Sequence, residues 1–255
     1  MIALGRKNAG FTTIYKVEFN NYKKIIKVYD QIAFSSFFRA NLNKYSNFYN
    51  SLNKANITPK HNVISKHILE INEIKSDFSL TKKKLFDNKK ILSEFKKKIT
   101  SIQKLDQSLI KKKLVDEIKK YLNILKLEKK VKRKIKKIEK YINFYEQNSI
   151  CHGDIHFENL IINKNKLFII DWDYSLISCI GYEIAMFAYL EKLNQVQIKK
   201  LSKIFRISID EIIHYLPICH LLDYLYKKVL IKEKLIKVID KKLIREVNNF
   251  IGNIL

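Results

Sequence analysis

The sequence predicts an α+β protein of two lobes, a small antiparallel β lobe at the N-terminus and a mainly helical lobe after it. Three observations carry this. Residues 11–30 alternate apolar and polar side chains in two short runs, the period of half-buried strands. From about 85 to 147, and again beyond 181, apolar residues recur at three- and four-residue spacing, the period of a helix. Between those helical stretches, residues 150–172 return to strand character. A chain of 255 residues can bury a core as one large domain or two small lobes, and 47% hydrophobic content with 12% aromatics supplies the apolar surface that disordered chains lack.

Taken in order, "FTTIYKVEF" (11–19) and "YKKIIKVYD" (22–30) are rich in β-branched and aromatic residues, with Asn20–Asn21 as the tight turn between them. Ahead of them, Gly5 and Gly10 are two of only five glycines in the chain. Residues 35–55 read as a helix, with Phe38, Leu42, Tyr45, Tyr49 and Leu52 along one side. "ITPKHNVISKHILEI" holds one of the two prolines and a short strand-like patch, which puts the boundary between lobes within 56–72. The expected lobes are therefore 1–68 and 69–255. Segments near 87–104, 107–125 and 127–147 read as helices whose apolar stripe includes Ile135, Ile138, Ile142 and Tyr145, the intervening lysines forming a solvated face. "LII" and "LFIID" flank "NKNK", the pattern of a strand, a hairpin turn and a second strand.

A formal charge of +25 raises nucleic acid as a partner. Only five of the 50 basic residues are Arg, whereas phosphate and base recognition favours the arginine fork, and the abundance of Lys, Ile and Asn reads as codon bias. Nucleic acid is therefore set aside. Cys151, Cys179 and Cys219 show neither zinc spacing nor a disulfide framework, so reduced thiols are expected. No apolar run reaches membrane-spanning length, and "MIALGRKNAGF" lacks the core of a signal peptide, so a cytoplasmic protein is expected.

The chemistry sits in "CHGDIHFENLIINKNKLFIIDWDY" (151–174). Two short strands joined by a turn put Asn159 just before one strand and Asp171 at the end of the other, hence near each other. Asp154 lies in the approaching loop, five residues before Asn159. Two carboxylates and an amide are hard oxygen donors of the kind that hold Mg²⁺, which keeps its other positions for water and phosphate. Phosphoryl transfer needs such a metal, together with a carboxylate that orients the attacking hydroxyl. An Asp, an Asn five places on and a second Asp about a dozen further match the catalytic-loop and metal-loop spacing of kinases.

"HGDIHFEN" followed by "IIDWD" resembles the catalytic core of the aminoglycoside phosphotransferase and choline kinase superfamily, and "IDWDYSLISCIGYEIA" (170–185) is similar to the matching stretch of choline and ethanolamine kinases. The strong motif covers about 35 residues, within a loop region at 150–185. Weaker support comes from "NAGFTTIYKV", which looks like the phosphate loop, and "IIKVYD", which looks like the lysine strand. The resemblance implies a protein-kinase-like fold, ATP and Mg²⁺ as cofactors, and a small-molecule alcohol as partner, choline or ethanolamine first. It also implies roles: Asp154 as catalytic base, Asn159 and Asp171 as metal ligands, Lys27 as phosphate anchor and Gly10 in the phosphate loop. Asp173, Tyr174 and Glu191 become candidates for binding the acceptor. His152 is expected to be structural, and Trp172 to pack behind the metal loop.

The pattern departs in several places. Kinases of this fold hold the phosphate lysine with a Glu on an N-lobe helix. Between Gln31 and Leu69 there is no acidic residue, so either another carboxylate, Glu70 or Glu73, does that work or the lysine is loosely held. Glu183 stands where the family has Asp, and should still brace the catalytic loop. The family's cation-binding Glu falls on Leu190, one step from Glu191, and the tryptophans of its C-terminal helices are missing. "HGD" in place of "HND" leaves an aminoglycoside or sugar acceptor open, and the absent helix Glu leaves open a pseudokinase or a basic binding module.

Overall fold

The computed structural model describes residues 2–9, 12–19, 22–29, 42–125, 129–232 and 238–254. The alternating runs are strands: β1 (Ile2–Ala9), β2 (Thr12–Phe19) and β3 (Tyr22–Tyr29) pair in sequence, all antiparallel. The expected hairpin is β2–β3. The expectation did not include β1. This strand lies at the sheet edge with a register shift between Ala3 and Gly5, and an edge is held by main-chain pairing that needs no apolar alternation. Residues 56–72, expected as a boundary, supply two further strands, β4 (His61–Ser65) and β5 (Ile68–Asn72). β5 inserts beside β3, giving the sheet order β1-β2-β3-β5-β4. Of the expected helix at 35–55, the described part is a 3-10 turn, Leu42–Tyr45, running into α1 (Ser46–Lys54); residues 35–41, the Asn20–Asn21 turn and Gly10 lie outside the described residues.

Register decides which side chains share a face. Opposite residues in a ladder point the same way, so Lys27 lies with its partners Ile14 and Leu69, and Ile25 with Ile71. Lys24, Ile26, Glu70 and Asn72 face the other side.

Past the sheet, Thr81 caps α2 (Lys82–Asp87) and the Asn88 carboxamide caps α3 (Lys89–Gln103), accepting from the N–H groups of Lys90 and Ile91 at 3.0 and 3.2 Å. The inner side of α3 carries Phe95, Ile99 and Ile102, all within 1% of full burial. This apolar side packs on the hairpin that leads into Asp171. Two of that hairpin's strands are β7 (Leu160–Asn163) and β8 (Lys166–Ile169), closed by Lys164 and Asn165 at φ 48° and 61°. Positive φ at both central residues is the two-residue turn whose twist matches that of paired strands. The N–H of Ile169 donates to the carbonyl of Ile57 at 2.8 Å, and that of Asp77 to Ile162 at 2.7 Å.

Two compact units result. One comprises Met1–Ile110 and His156–Tyr174, the other Lys111–Ile155 and Ser175–Leu255. This partition differs from lobes at 1–68 and 69–255, because α2, α3 and the β7–β8 hairpin cluster with the sheet.

The second unit is built on helices α4 (Leu114–Ile124), α5 (Lys129–Ile142), α6 (Ile180–Leu190), α7 (Gln195–Phe205), α8 (Ile209–Lys232) and α9 (Lys241–Ile254). A two-stranded ladder, β6 (Ser149–Cys151) with β9 (Leu176–Ser178), is its only paired strand set among the described residues. The core forms where α6 meets α8, with Ile184, Phe187, Ile212, Tyr215 and Ile218 fully buried. Tyr182, Phe187 and Tyr215 are at most 1% exposed and belong to this core, which leaves them no face for a ligand. Glu117 on α4 is 3% exposed, accepts from the ammonium of Lys120 at 3.0 Å and is ion-paired with that of Lys112 at 3.1 Å. The three cysteines are buried free thiols. No helix among the described residues is long and apolar enough to cross a membrane.

Candidate active site

The candidate residues fall in both units, one set in each. In the first unit, the ladder closes at the end opposite its turn when the N–H of Ile170 donates to the carbonyl of Asn159 at 3.0 Å. That bond brings Asn159, in the short turn Phe157–Asn159, next to Asp171. Asp171 has φ 63°, a conformation that costs a non-glycine residue about 1 kcal/mol and that collects at functional positions. Behind it Trp172 is 1% exposed, with its indole N–H on the carbonyl of Ile169 at 3.0 Å and its ring edge-on to Phe48 at 5.8 Å. Trp172 packs behind the metal loop, as expected.

Lys27 is 6% exposed and lies on the same sheet face as Ile14, Ile25 and Leu69. Its ammonium meets two carboxylates, Asp171 Oδ1 at 2.8 Å and Asp173 Oδ2 at 2.5 Å. Tyr29 donates its phenol to Asp173 Oδ1 at 2.5 Å. Burial alone would pull the lysine pKa down, but the two carboxylates outweigh it and raise it. The same ammonium outweighs burial at Asp171 and holds that carboxyl low. At Asp173 burial, aided by the charge of Asp171, wins and raises the pKa. The Asp171 side chain is 40% exposed and that of Asp173 is 6%.

Glu70 and Glu73 do not hold this lysine. Glu70 accepts from Lys24 at 3.2 Å and Glu73 from Lys16 at 3.1 Å, and for Glu70 the cause is the sheet parity described above. Asp173, expected to touch the acceptor, is instead taken up by Lys27 and Tyr29. Tyr174 is half-buried at the end of the turn Trp172–Tyr174.

A cleft in this unit is lined on one wall by Ile14, Ile25 and Ile71 and on the other by Ile161 and Ile170, with Lys27, Asp171 and Asp173 at its polar end. His61 also lines it, a residue that sequence reading passed over. Its Nδ1 lies 2.5 Å from the carbonyl of Pro59, its ring stacks on Tyr49 at 5.2 Å, and burial pulls its pKa down to about 4. A neutral imidazole thus lines the wall without adding charge. Among the described residues, no three His, Cys, Asp or Glu side chains cluster as a metal site. The half-exposed carboxylate of Asp171, with Asn159 next to it along the backbone ladder, is a hard oxygen donor of the kind that fits a magnesium ion taking its other ligands from phosphate and water.

In the second unit, Gly153 has φ 80°, which only glycine adopts without strain. The turn sends the N–H groups of His152 and Gly153 to Glu183 Oε1 and Oε2, at 3.0 and 3.2 Å. Glu183 is 2% exposed, and burial pushes its pKa up to about 7 against those two bonds. It braces the loop, as expected. His152 is fully buried, and its Nδ1 accepts from the N–H of Asp154 at 3.3 Å, a structural role. Asp154 itself is half-buried. A Cβ on Gly181 would stand 2.4 Å from Glu211 Cγ, whose carboxylate accepts from the Gly181 N–H at 3.0 Å, so any larger residue there would have to push this glutamate aside. Glu191 caps the end of α6, half-buried.

The fold is that of kinase-like phosphotransferases. Residues 103–198 match the model of the phosphotransferase enzyme family. Solved structures with this fold include the choline kinase LicA from Streptococcus pneumoniae, also solved with AMP, at 15% identity and TM-score 0.72 over 99% of this chain and 93% of that one. An ethanolamine kinase from Plasmodium vivax is similar at 16% identity and TM-score 0.70, covering 98% and 81% of the two chains. A mutant of aminoglycoside phosphotransferase APH(4)-Ia matches at 12% identity and TM-score 0.59, over 99% and 92%. A search of the curated proteins returns no match. Both the family model and the neighbours agree with the resemblance carried by "HGDIHFEN" and "IIDWD".

Proposed function

We propose that this chain is an ATP-dependent kinase that phosphorylates a hydroxyl of a small molecule, with choline or ethanolamine as the first candidates. The observation that supports it most is the polar end of the cleft, where a buried lysine and the carboxylates of Asp171 and Asp173 stand beneath two isoleucine walls. The walls suit a flat purine, and the lysine suits its phosphates. In this reading Asp154 takes the proton of the attacking hydroxyl, Asn159 and Asp171 hold Mg²⁺, and Lys27 anchors the nucleotide phosphates. The metal, when bound, offsets charge on the transferred phosphoryl group. Gly10 keeps its assignment to the phosphate loop, Tyr174 and Glu191 theirs to the acceptor, and work with ATP fits a cytoplasmic location.

An aminoglycoside or sugar acceptor is the second reading, favoured by "HGD" and by the absence of tryptophan from the C-terminal helices. A pseudokinase is disfavoured, because Lys27 has carboxylate partners despite the missing helix Glu. Labelled ATP should be offered with choline, ethanolamine, aminoglycosides and sugars, and phosphate transfer to one class is the expected result. No transfer to any, together with no Mg²⁺-dependent nucleotide binding, would overturn the proposal. With a working acceptor, Asp154→Ala should lower turnover by on the order of 10² to 10⁴. An unchanged rate removes Asp154 from the chemistry.

A further inference from the structure

We infer that Asp173 is the positioning residue of Lys27, a fixed buried counter-ion doing the work of the helix glutamate this chain lacks, and not a contact for the acceptor. The inference rests on the phosphotransferase reading for what Lys27 does, though not for how it is held.

Both oxygens of Asp173 are engaged, Oδ2 by Lys27 at 2.5 Å and Oδ1 by Tyr29 at 2.5 Å. The side chain is 6% exposed, which leaves no face for a substrate. Asp171 differs, since 40% of its side chain meets solvent and it can turn to a cation. When it does, its share of the lysine is lost. A buried ammonium with one removable partner would then be an unpaired charge in an apolar wall, an arrangement that folded proteins avoid. A second carboxylate that stays in place removes that difficulty. The pieces come as two pairs at a spacing of two residues, Lys27 with Tyr29 on one strand face and Asp171 with Asp173 in one turn. The sequence has no acidic residue between Gln31 and Leu69, and among the described residues Glu70 and Glu73 are engaged by Lys24 and Lys16.

A double-mutant cycle tests this. Affinity for a magnesium complex of a non-hydrolysable ATP analogue is measured by calorimetry in wild type, Lys27→Met, Asp173→Asn and the double variant. If Asp173 acts through Lys27, Asp173→Asn weakens binding by about tenfold or more, while adding it to Lys27→Met weakens binding no further. Asp173→Glu should recover part of the loss. Tyr29→Phe, a milder change that keeps the fold, should weaken binding a few-fold only where Lys27 is present. Effects that simply add would overturn the inference, as would a nucleotide-bound crystal structure in which Lys27 has left Asp173. If wild type binds no nucleotide, the phosphotransferase reading fails. The same cycle read in thermal unfolding then decides the pairing alone: coupled losses support it, and additive ones overturn it.

Discussion

Glu183 carries opposed pH demands. Its pKa in the folded chain is about 7, against 4.5 for an ordinary glutamate. A carboxyl with a raised pKa binds its proton better in the native state. Its contribution to stability is therefore whole below pH 4.5 and is lost as pH rises to about 7, on the order of 3 kcal/mol in all. Yet both carboxylate oxygens accept from the loop that carries Asp154, and protonation would turn one of them into a donor facing an N–H. Turnover should accordingly rise with pH through neutrality while the contribution of this group to stability falls. Glu183→Gln should flatten both slopes and lower turnover, as rate profiles and thermal unfolding from pH 5 to 8 would show; a variant that keeps the wild-type slopes would assign them elsewhere. Glu117 has the opposite sign. Burial would raise it, but Lys112 and Lys120 overcome that and hold it at about 2. Its contribution is whole above pH 4.5 and drains away as pH falls to about 2. Glu117→Gln should cost about 2–3 kcal/mol at pH 7 and little at pH 2, measured by denaturant unfolding. At this scale the closeness of Asn159 to Asp171 was legible, since both lie at one end of a short hairpin. The partner of Lys27 was not. It lies 146 residues away, and only strand parity excludes Glu70.

Among the elements, the β7–β8 hairpin positions Asn159 and Asp171, and its turn includes a side chain that dislikes it. Lys164 at φ 48° is the more strained of the two, because asparagine tolerates this region and lysine does not. Lys164→Asn with Asn165→Gly should stabilise the chain by about 0.5–1 kcal/mol without changing turnover, read from denaturant midpoints. This hairpin was legible because turn chemistry and alternation agreed. β2, β3 and the helices past 181 were legible for the same reason, each pairing a strong period with clean ends. β1 was not, because "IALGRKNA" has no alternation to read and is held by main-chain bonds to β2. β4 and β5 were seen only as a patch, since Pro59 and the short connection at Lys66–His67 read as a break between lobes and not as a turn within a sheet.

For the whole molecule, 50 basic residues face 25 acidic ones, and the ion pairs described above are local. Self-repulsion at this charge opposes compactness and is screened over about 10 Å at 0.1 M salt. The melting temperature should rise between 20 and 200 mM salt; a flat or falling curve would show that the lysines are already neutralised within the fold. The two units were only partly legible, because α2 and α3 look like the helices that follow and cluster with the sheet only through the buried face of α3. The pairing of Lys27 with Asp171 has a last consequence, for order of entry. A bare divalent cation arriving at Asp171 has to compete with a tethered positive group already seated there. A triphosphate arriving with its metal brings negative charge that gives that group somewhere else to rest. Metal and nucleotide should thus enter together, each poorly held without the other.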